Sequence, residues 1–135
     1  MKKIIEKMKK MNKKASKTGE VPVSAIIIKD NKIIAAAVNK REKNQDVMSH
    51  AEIIAIKKAA KKLKTWKLDQ CILYVTLEPC SMCKEIIKQS RIKEVKYLIK
   101  NSKNINYKTK FTLVDEKNNE YFENELKNFF KDIRF

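Results

Sequence analysis

The amino-acid sequence predicts an α/β fold in three layers (α/β/α), in which a mixed sheet of roughly five strands lies between helices. The chain has 135 residues, of which 43% are apolar, which suits one domain with a substantial core. Apolar runs of strand length alternate with segments of helical periodicity. No repeat, linker or low-complexity break interrupts the chain, so residues 1–135 are predicted to form a single domain.

The first predicted elements are a helix and a hairpin. Gly19 is well placed to end a helix whose apolar residues recur at helical spacing, at Ile4, Ile5, Met8, Met11 and Ala15. Two apolar runs follow, at 21–28 and 33–38, and between them lie Asp30 and Asn31. Because Asp and Asn tolerate the left-handed backbone angles of a tight turn, we expect these runs to pair as antiparallel strands.

The later elements alternate between helix and strand. A second helix is predicted to begin near the histidine, with apolar positions at Ile53, Ile54, Ile56, Ala59, Ala60 and Leu63. A continuous apolar run at 71–77 is typical of a strand covered on both faces, and a helix at about 81–89 and a strand at 95–99 follow it. Residues 111–114 are a candidate fifth strand. A C-terminal helix is expected to pack its aromatic residues inward, because one helical face carries Leu126, Phe129, Phe130 and Ile133.

The composition limits the class of protein. No apolar run approaches the roughly 18 residues that span a bilayer, and the basic N-terminus lacks the apolar core and cleavage site of a signal peptide. Three cysteines, two of them at a metal-like spacing, argue against a disulfide framework and favour a reducing compartment. We therefore expect a soluble cytoplasmic protein with no membrane partner.

The chain is strongly basic, with 32 Lys and Arg against 16 Asp and Glu and a net charge of +16. Such a surface attracts phosphate backbones and speeds association with nucleic acid. Abundant Lys, Ile and Asn beside a single glycine also indicate a compositional drift of the whole chain, and solvated lysine faces are common. The charge favours an RNA partner without identifying one.

The only histidine and two of the cysteines suggest a metal site. His50 is followed about thirty residues later by Cys80 and Cys83, which are three apart and so share one face of a helical turn. One imidazole and two thiolates are a preferred ligand set for zinc, and three protein ligands leave a fourth position open for water. Glu52, two residues after the histidine, is a candidate to move protons for that water.

The local geometry that this site needs can be predicted as well. His50 and Glu52 would diverge in a regular helix, so His50 is expected at the helix start, where the backbone is not yet helical. Ser49 is well placed as the N-cap residue. A helix N-terminus carries partial positive charge, which favours the thiolate form of the cysteines.

Each of these residues has an alternative explanation. Glu52 and Ser49 could form only a capping box, in which the glutamate reaches back to the Ser49 amide. The Cys80–Cys83 pair could be a redox pair or half of a structural zinc site. Cys71 could supply a fourth ligand and close the metal site, although a position within an apolar strand favours a small core residue.

The motifs together resemble a known family. The pattern H-x-E…P-C-x-x-C is similar to that of the zinc nucleobase deaminases. The segments at 19–25 (GEVPVSA), 46–53 (DVMSHAEI) and 73–83 (LYVTLEPCSMC) narrow the likeness to bacterial tRNA-specific adenosine deaminases, over residues 19–99. The resemblance implies a cytidine-deaminase-like fold, a zinc ion (Zn2+) held by His50, Cys80 and Cys83, catalysis by Glu52, and contact of Asn39 with the target base.

The resemblance also implies a substrate and an assembly. The family converts adenosine to inosine at the wobble position of a tRNA anticodon, usually of an arginine tRNA, and an anticodon loop can splay a base into a pocket at low cost. A homodimer is expected, with a tRNA anticodon stem-loop as the partner. Two alternatives are a deaminase of a free base or nucleotide (guanine, cytosine or deoxycytidylate) and a zinc-stabilised RNA-binding protein without turnover.

The sequence departs from the family pattern at several positions. Ser24 replaces a glycine, residues 47–49 replace P-T-A, and Lys84 and Glu85 replace a small Ala-Gly pair. The segment 100–107 lacks the glycine-rich loop that follows the fourth strand in the family. Because that loop borders the RNA pocket, the last difference bears on the substrate more than on the chemistry.

Overall fold

A computed structural model describes residues 2–101, 109–113 and 119–131. The chain divides into two units, Met1–Lys103 and Asn104–Phe135, and the sheet and the candidate site lie in the first. The helices of the described residues are α1 (Lys2–Lys17), α2 (Arg41–Asn44), α3 (Ala51–Leu63), α4 (Ser81–Gln89) and α5 (Asn119–Lys131). None of them is long and apolar enough to cross a bilayer.

The first unit is built on a mixed sheet of four strands: β1 (Ser24–Lys29), β2 (Lys32–Val38), β3 (Ile72–Leu77) and β4 (Glu94–Ile99). Their spatial order is β2-β1-β3-β4. The strand β1 runs antiparallel to both β2 and β3, whereas β3 and β4 are parallel. The predicted hairpin is confirmed, because Asp30 and Asn31 both adopt positive φ angles, of 51° and 62°, at the turn between β1 and β2.

The two faces of the sheet are covered by different helices. Side chains at alternate positions of β1 point to opposite faces, so Ile26 and Ile28 pack with Ile4 and Met8 of α1. Ala25 and Ile27 belong to the larger core on the other face, which also contains the buried apolar residues of α3 and α4. Alanine contributes six residues to that core, which lets α3 approach the sheet closely. The three-layer prediction is confirmed.

Strand register brings several chain segments to one end of the sheet. Ser24, which begins β1, pairs with Val38, which ends β2. Leu77, which ends β3, pairs with Ile99, which ends β4. The segments that follow β2, β3 and β4 therefore meet at the end where β1 begins, and α3 and α4 start close to it.

The predictions for the C-terminal part are partly wrong. Phe111 and Leu113 are not in a strand, so the sheet of the described residues has four strands instead of about five; Val114 lies outside the described residues. The predicted C-terminal helix exists as α5. Phe129 is 59% and Phe130 58% exposed, and Ile133, which completes the predicted apolar face, lies outside the described residues. Helical periodicity specifies a helix but not what covers its apolar face.

Candidate metal and catalytic centre

A pocket opens at the end of the sheet where β1 begins. Its walls come from five segments: the stretch before β1, the segment after β2 with α2, the start of α3, the segment that follows β3, and the segment that follows β4. The lining residues are Val21, Val23, Asn39, Arg41, Glu42, His50, Ala51, Glu52, Leu77, Glu78, Cys80 and Asn101.

Three potential metal ligands lie together in this region. The Nδ1 atom of His50 is 3.4 Å from the Sγ atom of Cys83 and 3.8 Å from that of Cys80. The ligand atoms of all three residues lie within 4.8 Å of one another. The sequence-predicted ligands are therefore brought together, and they form a group able to hold a metal ion.

Two helix starts deliver these ligands. His50 is the N-cap residue of α3, with an extended backbone (φ −74°, ψ 150°), and Cys80 is the N-cap residue of α4, also extended (φ −69°, ψ 172°). Cys83 follows within the first turn of α4. Because the backbone is extended at both caps, the His50 and Cys80 side chains turn toward each other instead of following a helical face.

The predicted capping role of Ser49 is wrong. The N-cap residue of α3 is His50, and no side chain caps this helix. The Ser49 hydroxyl instead donates to a carboxylate oxygen of Asp46 and accepts a hydrogen bond from the Asn44 amide. The capping-box alternative is therefore wrong too, and Ser49 serves to fold the segment that leads into His50.

The ligand group fits a tetrahedral metal ion. With ordinary zinc–sulfur and zinc–nitrogen bond lengths, tetrahedral coordination sets the distance from nitrogen to sulfur at about 3.6 Å. The two distances measured, 3.4 and 3.8 Å, lie on either side of this value. Two thiols and an imidazole are also the donor types that zinc prefers.

The electrostatics of the group agree with this fit. Burial, followed by the nearby charge of Arg41, lowers the pKa of His50, which keeps the imidazole in the neutral form that binds metals. Burial, and then the neighbouring Glu52 and Cys80, raise the pKa of the Cys83 thiol. A bound cation is the charge that would offset this burial and repulsion.

Glu52 lies beside the ligand group. The side chain is 4% exposed and hydrogen-bonds to the Cys83 thiol. Burial raises the pKa of Glu52, and bonds to its own backbone N–H and to Cys83 act in the opposite direction. A buried carboxyl group that lines a pocket next to a metal-binding group is suited to accept and return a proton.

Asn39 occupies the pocket wall at the end of β2. The residue is 9% exposed, and its backbone N–H donates to the carbonyl of Val23. The side-chain Oδ1 accepts a hydrogen bond of 3.1 Å from the backbone N–H of Arg41. This bond fixes the orientation of the Asn39 amide relative to the pocket.

Glu20 is a buried carboxylate that supports this wall from outside the pocket lining. Its Oε1 and Oε2 atoms accept hydrogen bonds from the backbone N–H groups of Glu42 and Lys43, at 3.1 and 2.7 Å. The side chain is 5% exposed. The stretch before β1 is thereby tied to α2, which carries Arg41 and Glu42 to the pocket.

Glu78 performs a similar task on the opposite wall. Its Oε1 accepts a hydrogen bond from the backbone N–H of Asn101, and its Oε2 accepts one from the Nζ group of Lys84 at 3.1 Å. These two contacts, the Lys84 one first, lower the pKa of Glu78. Lys84, which departs from the family pattern, therefore contributes to the wall through Glu78.

Cys71 is not part of the ligand group. It is 1% exposed, lies directly before β3 and belongs to the larger core. Burial is the main cause that raises the pKa of its thiol. The preference for a small core residue over a fourth ligand is confirmed.

Several residues that line or support the pocket were not predicted from the sequence as functional. Glu20 and Glu78 lie within the motif segments, but each acts on a backbone 22 or 23 residues away in sequence. Arg41, Glu42 and Asn101 line the pocket, and Glu42 and Asn101 are bonded there through their backbone N–H groups to Glu20 and Glu78. Their place beside the motif residues was the only signal that could have found them.

Comparisons with known proteins agree with this geometry. The family model of the MafB19-like deaminases matches residues 1–134. A tRNA-specific adenosine deaminase of Aquifex aeolicus is 44% identical over 104 residues, which cover 77% of this chain and 69% of that protein.

Solved structures confirm the cytidine-deaminase-like fold. A structure from a study of A-to-I editing by tRNA:A34 deaminases at the wobble position of transfer RNA has a TM-score of 0.66, 36% identity, and covers 67% of this chain and 70% of its own. The guanine deaminase of Bacillus subtilis has a TM-score of 0.80, 28% identity, and covers 93% of this chain and 92% of its own. Because the family model matches residues 1–134 and a relative is 44% identical over 69% of its own length, the chain belongs to the MafB19-like deaminases and to the family of tRNA-specific adenosine deaminases.

Proposed function

We propose that this chain is a hydrolytic zinc-dependent deaminase that converts adenosine to inosine at the wobble position of a tRNA anticodon, with an arginine tRNA as the expected substrate. The observation that carries the proposal is the position of Glu52 beside a three-ligand group, in a pocket of a chain from this family. Residues 1–135 act as one deaminase domain in this account, in the cytoplasm.

The proposed metal is one zinc ion per chain, with His50, Cys80 and Cys83 as ligands. When bound, zinc supplies a Lewis acid that lowers the pKa of a water molecule toward neutrality. A purely structural zinc site has no need of a buried carboxylate that does not bind the metal. Glu52 therefore favours an enzyme over the alternative of a zinc-stabilised RNA-binding protein.

Glu52 is assigned the proton transfers. Its carboxylate accepts a proton from the attacking water and delivers it to N1 of the adenine ring as the bond from oxygen to C6 forms. The second proton of the same water, now on the oxygen bonded to C6, goes to the exocyclic nitrogen. The C6–N6 bond then breaks and ammonia leaves. The products are inosine and ammonia, so atoms and charge balance with one water consumed.

Asn39 is assigned to the target base. Its Oδ1 is already engaged by the N–H of Arg41, so we expect its Nδ2 group to donate to an acceptor on the purine edge. Because this bond fixes the side chain before the substrate arrives, little conformational freedom is lost on binding.

A homodimer is part of the proposal. Of the isoleucines of α3 and α4, Ile53, Ile56 and Ile87 are buried within the chain, and Ile54 and Ile86 are partly exposed and able to contact a second copy. Light scattering in moderate salt should report about twice the 15.8 kDa chain mass. A fully active monomer would exclude the dimer.

A second candidate function is deamination of free guanine. It is favoured by the guanine deaminase structure, which overlaps 93% of this chain, against 67% for the tRNA:A34 deaminase. The basic surface and the curated tRNA-specific relative favour RNA.

Ammonia release distinguishes the two functions. Zinc-loaded protein should be offered an unmodified anticodon stem-loop, adenosine, guanine and cytosine at equal concentration. We expect turnover on the stem-loop and little on the free compounds. Turnover of guanine with none on the stem-loop would transfer the assignment to the second candidate.

A further inference from the structure

The surface of α1 is far more basic than the rest of the chain. Eight of its sixteen residues are lysine and one is glutamate, whereas Lys and Arg together make up 32 of the 135 residues overall. All eight lysines are exposed. A compositional drift of the whole chain accounts for lysine in general, but not for a local density about twice the average.

Five of these lysines form one line along the helix. Spacings of four and three residues alternate among Lys3, Lys7, Lys10, Lys14 and Lys17, so all five lie on the same face. We call these five residues the α1 lysine stripe. At a helical rise of about 1.5 Å per residue, the stripe is roughly 21 Å long.

The apolar face of α1 is already used. Ile4, Met8 and Ala15 are buried, and the first two pack on Ile26 and Ile28 of β1. A helix that binds a membrane surface needs a free apolar face to insert, and α1 has none to offer. The exposed part of α1 therefore offers a partner mainly positive charge. A polyanion is the kind of partner that such a surface binds.

The stripe leads to the pocket. Its last member, Lys17, ends α1, and the chain turns there through hydrogen bonds from Gly19 and Glu20 back to the last turn of the helix. Glu20 then binds the N–H groups of α2, and Val21 is already part of the pocket lining. Exposed Arg41 and Lys43, with Glu42 between them, lie on α2 beside the pocket.

We propose that the α1 lysine stripe is a docking surface for the RNA backbone, which binds phosphates of the substrate outside the nucleotide that enters the pocket. The inference rests on the proposed function for the identity of the RNA. Lysines in line along a rigid helix contact successive phosphates without reading bases, so the stripe contributes affinity and register but not sequence specificity. The chemistry at Glu52 is expected to be independent of it.

Two charge-matched triple variants of the full chain test the proposal. In the first, Lys7→Gln, Lys10→Gln and Lys14→Gln remove the centre of the stripe. In the second, Lys57→Gln, Lys61→Gln and Lys62→Gln remove three exposed lysines of α3, toward the end opposite the pocket. Gln and Lys have similar helix propensities, so both variants should fold, which circular dichroism and thermal melting can verify.

Binding of an anticodon stem-loop should be measured by fluorescence anisotropy over a series of salt concentrations. The loss of three phosphate contacts lowers the slope of log K against log salt by about 2 to 3. We expect this reduction, and at least a tenfold loss of affinity at low salt, for the stripe variant alone. The kcat at saturating RNA should stay within about twofold of the parent while KM rises.

The outcomes separate this inference from the proposed function. Equal effects of the two triple variants, or none from the stripe variant, would overturn the docking surface whatever the protein deaminates. Stripe-dependent binding of RNA without inosine would support the docking surface and overturn the proposed substrate. Loss of kcat with unchanged KM in the stripe variant would also contradict the inference.

Discussion

The ligand cluster (His50, Cys80 and Cys83, with Glu52 beside it) and the pocket rim (Arg41, Glu42, Glu78 and Asn101) are built in different ways. The cluster comes from two short motifs, each at the start of a helix. The rim is held by two carboxylates, since Glu20 binds α2 and Glu78 binds Asn101.

This difference suggests that the ligand cluster determines the chemistry and the pocket rim determines the choice of substrate. The identity and spacing of the cluster residues prescribe a metal and a proton carrier, so this part of the site can be stated from the sequence. The rim depends on contacts between residues 22 or 23 positions apart, and Lys84 supports it from outside by donating to Glu78. We therefore expect mutations in the cluster to abolish activity and mutations in the rim to change affinity.

The largest effect is expected from loss of a ligand. Cys83→Ala should lose most of its zinc and all measurable activity, because two remaining ligands hold the ion poorly. Elemental analysis of the purified protein measures this directly. The matched control is Cys71→Ala, which removes a buried cysteine of the core and should keep full zinc. Zinc lost from the Cys71 variant but kept in the Cys83 variant would show that the ligand assignment is wrong.

The next largest effect is expected at Glu52. Glu52→Gln keeps the shape of the side chain but cannot accept a proton, so kcat should fall by roughly 10²- to 10⁴-fold. Zinc content and the thermal midpoint should change little, and both need to be measured on the same sample. A variant that melts early but turns over at the parental rate would assign Glu52 a structural role instead.

The fold and the site were not equally predictable. The hairpin at Asp30 and Asn31, the helix starts and the three layers follow from turn chemistry and periodicity, which are local. The sequence predicts Ser49 as the cap of α3 because Ser is a good capping residue, but the N-cap is His50, whose extended backbone turns it toward the cysteines. The roles of Glu20 and Glu78 can be recognised only from the tertiary structure, because their partners are backbone N–H groups, which every sequence possesses.

A moderate effect on affinity is expected at the rim. Glu20→Ala removes the acceptor for two backbone N–H groups of α2, so Arg41 and the Asn39 side chain lose their fixed position. We expect KM for RNA to rise roughly tenfold while kcat changes much less, and zinc to remain bound.

Glu20→Gln, which retains one acceptor oxygen, should recover part of the affinity. Glu94→Ala is the control, because Glu94 is an exposed carboxylate at the start of β4, at the end of the sheet opposite the pocket. Loss of zinc in Glu20→Ala would show that the rim and the cluster are not separable.

The smallest effect is expected at Ser24, the first residue of β1. Its side chain is fully buried, and its hydroxyl oxygen finds no hydrogen-bond partner in the described part of the chain. Ser24→Ala should therefore raise the free energy of unfolding by about 1 kcal/mol, measured by denaturant titration, with activity unchanged.

Thr76→Val is the opposite control. The Thr76 Oγ1 atom accepts the Ser24 backbone N–H, so this variant leaves a buried donor without a partner and should be destabilised by about 1–2 kcal/mol. Destabilisation by Ser24→Ala would mean that the Ser24 hydroxyl is satisfied in solution.

The most direct test of the account is to map inosine in a tRNA that has reacted with the zinc-loaded protein. The account predicts inosine at the wobble position alone in the parental reaction, and none when Glu52→Gln replaces the parental protein at equal zinc content. Inosine formed equally by the Glu52→Gln protein, or no inosine in any tRNA while free guanine is deaminated, would contradict the claim that this pocket combines Glu52 chemistry with an RNA substrate.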